Sequence, residues 1–185
     1  MTVCPDTVVY LYDSILHLQE LKCKNIVIIP DYYNNWNEEN LYILQDQLIK
    51  IKNILGETEI EVTFFDDKPF VKKGKCFGGD EECCIDVDGS IYPCTFAVGN
   101  TNMKIGNVVL GIDENRLEDI RKINGMRNPM CDGCTYEKCC ISTRCKILNE
   151  MLTGEFLQPS PLICALENII YTICKGKSVT TNNMK

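Results

Sequence analysis

The chain has 185 residues, 45% of them hydrophobic, a formal net charge of −7, one histidine and thirteen cysteines. That is enough apolar material for one respectable core or two small ones, and the acidic balance argues against broad attraction to nucleic acid or anionic lipid. No apolar run is long enough to span a bilayer and no charged start precedes an apolar stretch, so the expectation is a soluble, cytoplasmic protein whose thiols bind metal or react more often than they cross-link.

In chain order, Val8, Leu11, Tyr12, Ile15, Leu16 and Leu18 recur at helical spacing, and Asn25 to Pro30 is a β-branched run of the kind found in a buried parallel strand. A second helix starts near Asn37-Glu38-Glu39, with acids in its first turn, and aligns Leu41, Leu44, Leu48, Ile51 and Ile54 on one face. Thr58 to Phe65 reads as another strand. Helix, strand, helix, strand is the grammar of an α/β layer or barrel. Two parallel strands close no barrel, so this half reads as the last segment of a larger sheet.

The composition changes at 66 to 75, where DDKPFVKKGK gathers charge, Pro and Gly, and eleven of the thirteen cysteines follow. Residues 83 to 94, CCIDVDGSIYPC, predict a tight hairpin turning at Asp88-Gly89. A two-residue turn would pair Val87 with Ser90, Ile85 with Tyr92 and Cys83 with Cys94, turning Cys84 to the other side. Beyond it come a loop over 104 to 108, a short helix over Glu114 to Ile123, helices near Cys145 to Leu152 and Pro161 to Tyr171, and a tail, SVTTNNMK. So little long apolar structure needs staples, and the cysteines can provide them.

Cys131-Asp-Gly-Cys134 is a pair spaced so that both sulfurs reach one metal. With Cys139, Cys140, Cys145, Cys76, Cys83, Cys84, Cys94 and Cys164 it makes ten thiols, enough for two four-thiolate sites. Spacing alone leaves iron-sulfur, zinc and disulfides open. His17 lies mid-helix among leucines and reads as a packing or half-exposed residue, and Cys4, Cys23 and Cys174 read as small buried ones. There is no phosphate-binding glycine loop and His17 has no nucleophile partner, while Asp86, Asp88 and Asp132 suit turns or strands.

CFGGDEECCIDVDGSIYPC followed by TFAVGNTNMKIGN resembles the start of a SPASM domain, the C-terminal extension of many radical S-adenosylmethionine enzymes. Cys76, Gly89 and Cys94 match that family's first block, Cys131, Cys134 and Cys140 its second, and Cys164 its last cysteine. The resemblance spans residues 76 to 171, and more loosely 7 to 65 as the closing elements of the radical-enzyme barrel; peptide-modifying maturases are the most similar members. It implies two auxiliary 4Fe-4S clusters with interleaved ligands. The first would take Cys76, a cysteine before the hairpin, Cys94 and Cys145; the second would take Cys131, Cys134, Cys140 and Cys164. The two-residue turn selects Cys83 over Cys84. Cys140 and Cys145 are separated by four residues where the family has three, which leaves Cys139 open beside Cys140.

The expected organisation is therefore α/β, the end segment of a partial (β/α) barrel followed by a small, irregular iron-sulfur domain with a hairpin and short helices. Its parts are 1–70, 71–175 and a flexible tail, 176–185. No three cysteines show the Cys-x-x-x-Cys-x-x-Cys spacing that holds the S-adenosylmethionine cluster, so the chain resembles part of an enzyme that cannot cleave S-adenosylmethionine unaided. The complete enzyme would bind S-adenosylmethionine, act on a peptide or small protein and draw on an external electron donor, without nucleic acid or membrane. A zinc-stapled interaction module and an independent electron carrier are the competing readings.

Overall fold

The computed structural model describes residues 1–55, 60–63, 72, 74 and 76–175. In chain order its elements are β1 (Thr2–Val3), α1 (Leu11–Glu20), β2 (Asn25–Ile26), β3 (Ile29–Pro30), α2 (Glu38–Leu55), β4 (Glu61–Val62), β5 (Cys84–Ile85), β6 (Ser90–Tyr92), β7 (Gly106–Asn107), β8 (Gly111–Ile112), α3 (Glu114–Gly125), α4 (Ile141–Arg144), α5 (Lys146–Thr153) and α6 (Pro161–Lys175). The fold is mixed α/β with small sheets. Two compact units divide it, one of Met1–Phe70 with Pro161–Lys185, the other of Val71–Ser160. Helix α6 thus belongs to the first unit, and the cysteine-rich segment is inserted between β4 and α6. The charged stretch at 66 to 75 lies almost wholly outside the described residues, as does the tail beyond 175.

In the first unit, β1 pairs parallel with β3, and β2 parallel with β4. The run 25 to 30 therefore serves two neighbours, its first two residues joining β4 and its last two joining β1. It is not buried on both faces as its composition suggests: Ile26 and Ile28 are in the core, whereas Val27 and Ile29 are each 46% exposed. Helix α2 begins where Asn37 and Asn40 cap each other, the Asn40 N–H donating to Asn37 Oδ1 at 2.8 Å and the Asn37 N–H to Asn40 Oδ1 at 3.3 Å. Its buried stripe of Leu44, Gln47, Leu48 and Ile51 packs on α1 and α6. Gln47 is tolerated there because its Oε1 accepts the Tyr12 N–H at 2.9 Å. Leu166, Ile169 and Ile173 of α6 complete the same core.

The second unit holds the antiparallel sheet β5-β6-β7-β8 and helices α3, α4 and α5. Strand β7 lies in what reads as a loop over 104 to 108, and β8 follows just beyond it. They approach so closely that a Cβ on Gly106 would lie 2.3 Å from the Gly111 carbonyl oxygen, so only glycine fits. The β5–β6 hairpin departs from the two-residue turn. Cys84 faces Tyr92 and Ile85 faces Ile91. The Asp86 N–H donates to the Ser90 carbonyl at 2.8 Å, closing a three-residue loop of Val87, Asp88 and Gly89, with Gly89 at φ +81°. Asp88 fixes it by accepting the Ser90 N–H at 2.8 Å and the Ser90 hydroxyl at 2.9 Å. Tyr92 is buried, but Ile85 is exposed and is not its expected partner. Among the described residues no helix is long and apolar enough to cross a membrane.

Candidate functional site

The loop before the hairpin is folded by its glycines. Gly79, at φ +76°, donates its N–H to both Glu82 and Pro93 carbonyls, at 2.9 and 3.0 Å, which lays the loop over the hairpin end. Helix α3 clamps it from outside: Arg121 pairs with Asp80 at 3.2 Å and Asn124 Nδ2 donates to the Gly78 carbonyl at 3.0 Å. A Cβ on Gly78 would stand 3.4 Å from Cys94 Cβ and 3.5 Å from Cys76 Sγ, so those two side chains flank the same small residue.

Cys145 joins them from another part of the chain. Its thiol donates to the Cys76 sulfur, and that bond, helped by the Gly78 N–H and the Arg144 guanidinium, pulls the Cys76 pKa down to about 6 in spite of burial. Cys145 is pushed up by the same bond and then by burial. Burial also pushes Cys94 up, opposed by the Ala97 and Phe96 N–H groups and reinforced by the neighbouring Cys76 and Cys84 sulfurs. Three residues of the expected first set, Cys76, Cys94 and Cys145, therefore meet. The fourth thiol beside them is Cys84; Cys83 is exposed. The hairpin register explains this, since Cys84 faces Tyr92 and so shares the face of Cys94, two residues on.

Three residues of the second set, Cys131, Cys134 and Cys140, lie in the same unit. Cys131 and Cys140 are buried and Cys134 is exposed on the turn made by Gly133 at φ +78°. Cys140 caps α4 and accepts the Ser142 N–H at 3.3 Å, as Cys145 caps α5 and accepts the Leu148 N–H at 3.4 Å. N–H groups aimed at sulfur favour the thiolate, the form that binds metal. Cys139 is also buried, but its thiol approaches the Tyr136 carbonyl of its own turn at 3.5 Å. Cys164 lies on α6 of the first unit, exposed.

No protein-family model matches the chain, and no curated protein matches it. Function rests on the geometry. Among the described residues no group of three His, Cys, Asp or Glu side chains is arranged to hold a metal ion as the side chains lie. All thirteen cysteines are described, and none is disulfide-bonded. Buried side-chain polar atoms without a hydrogen-bond partner, among the described residues, belong to Asn124, Asn128, Ser142, Arg144 and Asn149. Every one lies between 124 and 149, the stretch that carries Cys131 to Cys145. Three of these atoms can donate, Arg144 Nε, Asn128 Nδ2 and Ser142 Oγ, and three are the amide oxygens of Asn124, Asn128 and Asn149.

Sequence reasoning passed over Arg144 and Lys146, the cations on either side of Cys145. Lys146 is 1% exposed and its Nζ donates to the Thr143 carbonyl. The available signal was a lysine opening an apolar run, Lys146-Ile147-Leu148. The remaining expectations fall out simply. His17 is exposed beside Glu20 at 3.7 Å, Asp132 pairs with Arg127 at 2.9 Å, and Cys4, Cys23 and Cys174 are not buried.

Proposed function

We propose that this chain is an iron-sulfur protein, the cluster-bearing C-terminal part of a radical S-adenosylmethionine enzyme that modifies a peptide or protein. The observation that carries the reading is the meeting of Cys76, Cys94 and Cys145, widely separated in sequence, with Cys84 at their side. A four-thiolate cage for one 4Fe-4S cluster needs four such sulfurs. The donor chemistry fits: soft thiols, N–H groups directed at sulfur, and unpaired buried donors beside them. The first site would use Cys76, Cys84, Cys94 and Cys145. The second would use Cys131, Cys134 and Cys140. The first unit, with its parallel pairs and flanking helices, is read as the closing elements of a partial barrel.

A bound cluster supplies one-electron transfer. The chain's own residues do the rest. Tyr92, opposite Cys84 in the hairpin, and Ile147 and Leu148, which follow Cys145, are buried, and the N–H groups of Ser142 and Leu148 hold the Cys140 and Cys145 sulfurs in place.

The test is anaerobic purification of the full chain with iron, sulfide and zinc analysis. A brown protein with about eight iron and eight sulfide per chain, four of each per cluster, is expected. Colourless protein with stoichiometric zinc would replace this reading with that of a zinc-stapled module.

A further inference from the structure

We propose that the outer edge of β8 and the groove beside it are a docking site for an extended, carboxylate-bearing peptide segment of a partner protein, added to the sheet as a further strand. The inference stands apart from the cluster reading. An open groove of about 600 Å³ has Lys104, Leu110, Ile112 and Arg116 on its walls. Strand β8 is the last of the sheet β5-β6-β7-β8, and both of its residues are exposed. The Asp113 N–H donates inward, to the Ile105 carbonyl just before β7, at 2.7 Å. Because an antiparallel ladder alternates, Ile112, one residue earlier, turns its N–H and C=O to the outer side. Such an edge is a template for another extended segment. Leu110 is 89% exposed and Ile112 42%, so apolar side chains of that segment find partners beside the edge.

Charge selects the occupant. Arg116 Nη1 donates to the Lys104 carbonyl at 3.0 Å, which ties the two cations together, and among the described residues neither forms an ion pair with a carboxylate. Asp113, which also lines the groove, is engaged in capping α3, accepting the Asn115 and Arg116 N–H groups at 3.0 and 3.2 Å. Asp88 is held below the usual carboxylate range chiefly by its Ser90 hydrogen bonds, with Lys104 adding a smaller pull. The groove therefore offers two cations to an incoming carboxylate. A nucleic acid would bring its phosphates to a chain of net charge −7. A second copy, paired edge to edge about a two-fold axis, would set Lys104 and Arg116 against their own counterparts.

The probe is a fluorescently labelled octapeptide of alternating valine and glutamate, titrated into the full chain as purified and followed by anisotropy. Saturable binding is expected, with the Ile112 amide among those that shift in NMR spectra. K104Q/R116Q should weaken it about tenfold or more, as should N-methylation of the peptide's central residues, and the valine–lysine octapeptide should not saturate. Added salt should weaken the wild-type complex, which tests the charges without any variant. Failure of the glutamate peptide to saturate, or equal binding by the lysine peptide or to the variant, overturns the inference. So does displacement of the peptide by an oligothymidylate, which would make the groove a nucleic-acid site, or a concentration-dependent dimer lost in I112K, which would make a second copy the occupant. Iron, sulfide and zinc contents enter none of these results, so failure here leaves the cluster reading standing.

Discussion

Cys76 and Cys145 share one proton unequally, and the inequality can be measured. In the metal-free, reduced chain Cys76 is the thiolate of the pair, with a pKa near 6, well under the ordinary thiol value of about 8.5. Its alkylation by iodoacetamide, followed by peptide mass spectrometry, is expected to stay nearly level from pH 8 down to about 7 and to fall only through its own pKa. The linked stability has a definite sign. The lowered Cys76 pKa contributes stability that disappears as pH falls toward 6, and the raised Cys145 pKa contributes stability that is lost as pH rises past the ordinary thiol value, so the pair favours the fold most between the two. A second residue-scale prediction separates neighbours: C84S should lose one cluster's iron while C83S keeps it, read by iron analysis. The sequence reading selects Cys83 because it takes Asp88-Gly89 as a two-residue turn, whereas the same dipeptide also suits a three-residue loop ending in a left-handed glycine. The Asp88–Ser90 hydrogen bonds belong to the longer loop, and one residue of register exchanges the faces.

Among the elements, the glycine loop at 76 to 82 does most to place a thiol. Gly79 needs its positive φ, and a Cβ there would also meet Leu117, Ile120 and Pro93 at 3.2 to 3.3 Å. G79A is therefore expected to cost about 1–3 kcal/mol, seen as a lower denaturation midpoint, and to weaken iron retention because Cys76 shifts with the loop. Helices were the most legible elements: α2 runs from the predicted acids at Glu38, and its Leu44, Leu48 and Ile51 are buried. Periodicity over eighteen residues carries that much information. Strands β1, β7 and β8 are two residues each, too short to show a period, and their pairing depends on glycine clearance and distant partners. Buried Lys146 was illegible for a related reason. Its ammonium is held by the Thr143 carbonyl of the preceding turn, and a lysine at the head of an apolar run does not announce its own burial.

At the scale of the molecule the units draw on different sources of stability. The first has a continuous core of aliphatic side chains from Val3 to Ile173. In the second, four of the buried side chains are cysteines, and orphaned polar atoms lie among them. Prolonged treatment of the loaded chain with an iron chelator is expected to erase amide protection over 76–160 while leaving that of α1 and α2, measured by hydrogen exchange with mass spectrometry. Equal loss in both units would show that metal does not hold the second. The interruption of the first unit also has a temporal meaning. Leu166, Ile169 and Ile173 are synthesised after the whole cysteine-rich segment, yet they share a core with Val3 and Val8. A nascent polypeptide stalled at Ser160 is thus expected to leave its opening segment open to protease, whereas every thiol from Cys76 to Cys145 has already been synthesised and can meet iron before that core is sealed.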